Sequence, residues 1–249
     1  MDPLAPDAVV PRLRGRFGQP YLYAYECAST QRLLLDSSLP EGAVAVAEHQ
    51  TAGRGRQGRS WLAPPGTALL VSVLLRPPPE RCAPELSLVA GLAVAEALEE
   101  TTGARAELKW PNDVLIGGAK VAGILAELRR HVVVGIGVNV SQTEEELPTD
   151  APTPAGSLQT VTGTAPDRVA LLAAVLERLE RRYDEWLRGS LASLHDEIAA
   201  RDALRGRPVR LDGRTLVAKR ILADGRLEVA APDGTVHALD SGEVSLGRP

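Results

Sequence analysis

Two periodicities divide the chain. Apolar runs, either continuous or alternating every second residue, read as strands. They include YLYAYE (Tyr21–Glu26), AVAVAEH (Ala43–His49) and TALLVSVLLR (Thr67–Arg76), the last closed by Pro77, Pro78 and Pro79. Between the first two, Ser29 or Thr30 is placed to cap a helix through QRLLLDSSL. Leu88, Val89, Leu92, Ala95 and Leu98 then repeat at helical spacing within Pro84–Thr102, and Gly103 is positioned as the C-cap. Three strand-like segments follow: AELKW, then VLI after the turn PND, then AKVAGILAEL after the Gly117-Gly118 turn of a β-hairpin. HVVVGIGVNV (His131–Val140) is a further strand, and Ser141 to about Pro166 reads as a polar, acidic and proline-rich loop. Helices are expected from about Asp167 to Trp186 and from Ser190 to Arg201. From Arg205 onward, short strands separated by Gly and Asp-Gly turns form the pattern of a small β-barrel. The expected organisation is a tail over residues 1–20, an α+β domain with a mixed sheet over 21–202, and a barrel over 203–249.

Composition narrows the possibilities. With 249 residues, 44% hydrophobic and 24% charged, the chain matches a globular protein with room for a substantial core. A net charge of −4 argues against broad nucleic-acid binding. No run approaches the roughly 18 apolar residues of a membrane span. The first twenty residues lack an uninterrupted apolar stretch after a basic start, so neither membrane association nor a signal peptide is expected, and the location expected is cytoplasmic. Cys27 and Cys82 are isolated and read as ordinary thiols. Among 28 basic residues only Lys109, Lys120 and Lys219 are lysines, and Asn112 and Asn139 are the two asparagines. In a chain that otherwise chooses arginine, a lysine marks a position wanting a compact point charge. Four of those five residues fall between Lys109 and Asn139, marking a functional segment.

A second such segment is GRGRQGRSW (Gly53–Trp61), in which Arg54, Arg56 and Arg59 alternate with glycines. Glycine allows close backbone approach, and arginine supplies a fixed fork for carboxylate or phosphate, so the stretch reads as a cationic loop that closes over an anion. Gly53-x-Gly55-x-x-Gly58 formally matches the dinucleotide fingerprint, but that motif needs a helix directly after its glycines. Here Trp61, Pro64-Pro65-Gly66 and a strand follow. Neither a GxxxxGK[ST] loop nor the HRD and DFG elements of protein kinases are present. In KWPNDVLIGGAKVAGILAE, Asp113 sits on a turn beside Lys109 and Asn112, suited to hold Mg²⁺ or orient a phosphate, while Lys120 projects from a strand just past the Gly-Gly turn.

Together, GRGRQGRSW, KWPNDV, GGAKVAGILAE and GIGVN, in this order, resemble the motifs of biotin protein ligases, also called biotin–[acetyl-CoA-carboxylase] ligases. The resemblance runs from about Tyr21 to the C-terminus and implies the α+β fold shared with lipoate ligases and class II aminoacyl-tRNA synthetases. It also implies that the terminal module is the family's SH3-like barrel. Its chemistry would join biotin and ATP as biotinyl-5′-AMP, then transfer biotin to a lysine of a biotin carboxyl carrier domain. By that resemblance Ser29, Thr30 and Gln50 contact biotin, as does Gln31, where the family commonly has Asn. Arg54, Gly55 and Arg56 belong to the loop over biotin and the adenylate, and Trp61 packs near the adenine or supports the closed loop. Lys120 is the leading catalytic residue, with Arg56 and Lys109 beside it, and contacts both the biotin carboxylate and the phosphate. Lys109, Asn112 and Asp113 line the ATP and Mg²⁺ side; Gly123, Gly135 and Gly137 floor the pocket; Asn139 lies near the nucleotide. Many members carry an N-terminal winged helix and repress transcription, and some 20 residues before Tyr21 are too few for one, so no DNA partner is expected. Alternatives are a lipoate or octanoate ligase and a biotin-sensing binding protein without turnover. The oligomeric expectation is a monomer or a homodimer.

Overall fold

A computed structural model describes residues 3–81, 83–211, 213–242 and 244–246; Cys82 lies outside the described residues. The elements are α1 (Pro6–Val9), β1 (Tyr21–Cys27), α2 (Thr30–Leu35), β2 (Val44–Gln50), β3 (Ala68–Leu75), α3 (Leu86–Thr102), β4 (Glu107–Lys109), β5 (Asp113–Ile116), β6 (Ala119–Leu128) and β7 (Val132–Asn139). They continue as α4 (Leu158–Thr162), α5 (Arg168–Gly189), α6 (His195–Ala199), β8 (Pro208–Leu211), β9 (Arg214–Ile221), β10 (Leu227–Ala230), β11 (Val236–Leu239) and β12 (Ser245–Leu246).

The first seven strands form one sheet in the order β1-β2-β3-β7-β6-β5-β4. β1 pairs with β2 in parallel and every other pair is antiparallel, so the sheet is mixed as expected. Side chains of a strand alternate between faces, and this alternation separates structure from site. On one face Val44, Val46, Leu69, Val71, Val73, Val134, Ile136 and Val138 join a core shared with α3 and α5. On the other, Leu34 and Leu35 of α2 pack on Ala45, Leu74 and Val133. Further along that second face of β7 come Gly135, Gly137 and Asn139, where the strand's bare backbone leaves room for side chains from other elements and for the cavity they line.

α3 ends where its sequence indicated, with Gly103 in the left-handed region at φ 70°. α5 begins one residue after Asp167, whose carboxylate accepts from the Val169 N–H. Ion pairs link these two helices, Arg182 to Glu96 and Arg178 to Glu100 at 2.7 Å, and Arg182 also meets Glu185 of its own helix and Glu197 of α6. Burial by itself would push the Glu96 carboxyl up, but hydrogen bonds and charge from Arg182 and Arg181 outweigh it and hold it below the usual range.

Three segments depart from the expectation. Residues 1–20 were expected to be a tail, yet Leu4, Val9 and Phe17 are buried in the main core. Tyr21 Oη donates to the Leu4 carbonyl at 2.8 Å, and Arg16 pairs with Asp184 and Glu180. The apolar residues of this segment are scattered among Pro, Gly and Arg over a stretch too short and interrupted to establish a period. The helix expected over 190–201 is broken into a 3₁₀ turn (Leu191–Leu194) and α6, following Ser190 at φ 60°. Within the loop Ser141–Pro166, α4 forms behind a Ser157 cap whose Oγ accepts from the Thr160 N–H.

The C-terminal strands make a second, antiparallel sheet in the order β11-β10-β9-β8-β12. It is anchored to the first around β4, where the Leu108 N–H donates to the Arg201 carbonyl and the Ala203 N–H to the Leu108 carbonyl. Nearby, Trp110 Nε1 donates to the Gly225 carbonyl at 2.9 Å. Among the described residues no helix is long and apolar enough to cross a membrane.

Candidate active site

The site lies on the open part of the sheet, under the loop Gly53–Trp61. This loop is a closed, hydrogen-bonded turn: the Trp61 N–H donates to the Gly53 carbonyl at 3.0 Å and the Gly55 N–H to the Arg59 carbonyl at 2.7 Å. Its tip passes through Gln57 at φ 56° and Gly58 at φ 75°, left-handed positions that the second residue adopts without steric cost. Arg54 reaches over to Glu127 of β6 with both nitrogens, at 2.8 and 2.9 Å. Arg56 Nη1 donates to Asn112 Oδ1 at 3.4 Å, while Asn112 Nδ2 is held by the Ile124 carbonyl at 2.8 Å. The rigid turn PND thus supports the cationic loop from below.

The glycines form the floor, and each makes room for a particular side chain. A Cβ on Gly137 would lie 2.5 Å from Trp61 Cε2, and one on Gly123 would lie 2.9 Å from Trp61 Cζ3. A Cβ on Gly135 would lie 2.7 Å from Gln31 Cδ. Real Cβ atoms do not approach so closely, so Trp61 and Gln31 rest directly on bare backbone. Trp61 Nε1 is buried in this seat with no hydrogen-bond partner among the described residues.

Lys120 Nζ lies 5.7 Å from the centroid of the Trp61 ring and 2.7 Å from Asp113 Oδ1; Lys109 Nζ approaches the other Asp113 oxygen at 3.7 Å. The backbone of Lys120 is clamped as well, donating to the Pro154 carbonyl and accepting from the Gly156 N–H. At the opposite end Gln50 Oε1 accepts from both the Thr30 N–H (2.8 Å) and Thr30 Oγ1 (3.0 Å). Gln31 Nε2 donates to the Leu125 carbonyl at 3.0 Å.

These groups enclose a cavity of about 540 Å³. Ser29, Thr30, Gln31, Gln50, Arg54, Gly55, Arg56, Trp61, Asn112, Lys120, Gly123 and Asn139 all line it, as do Gly135 and Gly137. Lys109 and Asp113 do not; they line an adjoining space of about 60 Å³ that Arg56, Lys120, Gly242 and Val244 also border. Arg59, for which the sequence suggested no role, borders both. Asn139 points into a structural network: its Nδ2 donates to the Gly156 carbonyl, and its Oδ1 accepts from Gln142 Nε2. Sequence reasoning missed the wall formed by Pro148–Thr153 and Ala155, and the apolar contribution of Leu62, Leu70, Ile124 and Leu125.

The residues do not fit a protein-built Mg²⁺ site at Asp113. Mg²⁺ takes octahedral oxygen ligands, whereas the Asp113 carboxylate is already shared between two lysines. Among the described residues no group of three His, Cys, Asp or Glu side chains could hold a metal ion. Cys27 is no nucleophile candidate either, since burial and the neighbouring Glu26 push its thiol up.

Comparison with known proteins gives this arrangement a context. Residues 23–139 match the model of the biotin/lipoate A/B protein ligase family. The bifunctional ligase/repressor BirA of Bacillus subtilis is 38% identical over 180 residues, a match spanning 68% of this chain and 55% of that protein. The biotin–[acetyl-CoA-carboxylase] ligase of Paracoccus denitrificans is 36% identical over 74% of this chain and 80% of its own length. The chain belongs to the biotin protein ligases. Among solved biotin protein ligases, that of Aquifex aeolicus in complex with biotin and ATP superposes with a TM-score of 0.82 at 36% identity, covering 92% of this chain and 98% of that one. The family match contains the arginine loop and Lys120 and stops at Asn139, before the wall at 148–155. The chain thus spans about half the length of the bifunctional ligase/repressor it matches and nearly all of the Aquifex ligase.

Proposed function

We propose that this chain is an ATP-dependent biotin protein ligase, forming biotinyl-5′-AMP and transferring biotin to a lysine of a biotin carboxyl carrier domain. The observation that supports this most is the gradient along the cavity. One end carries the amides and hydroxyls of Gln50, Gln31 and Thr30, Trp61 lies on the glycine floor, and Lys120 and Arg56 stand on the side shared with the adjoining space. Biotin has the same order: a ureido ring, the apolar thioether ring fused to it with its alkyl chain, and a carboxylate. The Aquifex relative has been solved with both biotin and ATP bound.

In this reading the carboxylate of biotin attacks the α-phosphorus of ATP, and pyrophosphate leaves with the electron pair of the broken P–O bond. The reaction needs charge neutralisation and alignment more than a covalent helper. Arg54 and Lys120 are already held by Glu127 and Asp113, so a bound anion exchanges one acidic partner for another and the cations need not be stripped from bulk water. Lys120 sits between cavity and adjoining space, where the carboxylate and the phosphate would meet. The loop with Trp61 would then shield the mixed anhydride from water until the amine of the acceptor lysine attacks its carbonyl, releasing AMP.

The test is biotin-dependent exchange of labelled pyrophosphate into ATP, followed by transfer of biotin to a carrier domain. Exchange driven by lipoate and not biotin would make the chain a lipoate ligase. Biotin binding with neither exchange nor transfer would leave only a sensor.

A further inference from the structure

We infer that Ser72, a fully buried residue of β3 outside the cavity lining, sets the hydrogen-bond polarity of the polar end and thereby its preference for a ligand presenting an N–H to Thr30. The inference rests on the biotin reading above. It follows from proton bookkeeping. The Thr30 N–H can only donate, so the Gln50 atom 2.8 Å away is the oxygen, and the amide nitrogen of Gln50 is left as a donor. Thr30 Oγ1 lies 3.0 Å from that same oxygen, which cannot donate, so the Thr30 hydroxyl spends its single proton there. The remaining contact, Ser72 Oγ to Thr30 Oγ1 at 2.8 Å, then has one satisfying arrangement: Ser72 donates.

The result is a one-way chain, Ser72 to Thr30 to Gln50, whose members polarise one another in a buried setting. Both lone pairs of the Gln50 oxygen are taken, Thr30 keeps one lone pair, and Gln50 keeps its N–H groups. Toward the cavity this end shows an acceptor beside a donor. A cyclic urea answers that pattern with an N–H beside a C=O; a dithiolane or alkyl chain answers neither half. Ser72 touches no ligand in this arrangement and acts as a positioning residue through Thr30.

Titration calorimetry with biotin on the wild type, Ser72→Ala, Thr30→Val and the double variant tests this. Ser72→Ala is expected to weaken biotin binding by roughly 5- to 10-fold, the loss of about one net hydrogen bond in a coupled chain. ATP affinity should be unchanged, and in the Thr30→Val background Ser72→Ala should add nothing. Should Ser72→Ala fail to fold, Ser72→Cys, close in volume and a poor donor, serves in its place with the same expectation. Unchanged biotin affinity, an equal loss toward ATP, or additive effects in the double variant would overturn the role of Ser72. A wild type that binds no biotin would instead overturn the functional reading and this inference with it.

Discussion

Gly137→Ala is the most discriminating perturbation of the floor. The added Cβ would meet Trp61 Cε2 at 2.5 Å, Cζ2 at 2.8 Å and Nε1 at 2.9 Å. Ordinary contact begins near 3.4 Å, so the indole must rise by a sizeable fraction of an ångström. β7 cannot yield instead, because Gly137 is paired on one side with Leu70 and on the other with Gly123. Overpacking of this kind costs about 1–3 kcal/mol, which would shift the loop toward its open form by roughly 5- to 150-fold. Trp61 ends the hydrogen-bonded turn, so lifting it should release Arg54, Arg56 and Arg59 together. Limited trypsin digestion reads this directly, as faster cleavage within residues 53–61 that bound ligand suppresses less well. Stability should change little beyond the same few kcal/mol, since Trp110 and Trp186 stay in their buried seats. Wild-type cleavage rates together with wild-type biotin affinity would show that Trp61 does not depend on this floor.

Two further predictions concern charge. Lys120→Ala should abolish most pyrophosphate exchange while leaving the melting temperature near that of the wild type, because Lys120 is partly exposed and its carboxylate partner Asp113 is also served by Lys109; exchange at the wild-type rate would refute its assignment. Glu96, held below the carboxylate range in the folded state, adds stability that is fully present above its unfolded value of 4.5 and is lost as the pH falls through the lower folded value. Replacing it by Gln should cost about 1–3 kcal/mol near neutrality, by leaving Arg182 with one carboxylate fewer. In thermal melts across pH 3–7 the gap to the wild type should narrow on acidification, and a gap independent of pH would contradict the pairing.

Much of the architecture is legible from local pattern. The central strands β2, β3 and β7 have the extended apolar runs that sheet burial requires, and α3 and α5 carry helical spacing with Gly103 and Asp167 at their ends. The two charged motifs are equally legible, because an arginine-glycine loop and a lysine in an arginine-rich chain are visible without coordinates. Neighbours distant in sequence are not. That Arg54 rests on Glu127, 73 residues away, could not be read from either motif alone. Nor could the docking of Phe17 beside Tyr183, or the wall at 148–155 that the backbone of Lys120 clamps in place. The role of glycine shows the division most clearly. GIG in β7 announces that two positions on one face lack side chains, but only the packed structure places Gln31 on the first and Trp61 on the second. Local sequence determines backbone period and chemical type, through steric and hydrogen-bonding preferences spanning a few residues. Which side chains meet across the sheet is decided by close packing of the whole chain, which turns the arginine loop, the glycine floor and Lys120 into one cavity.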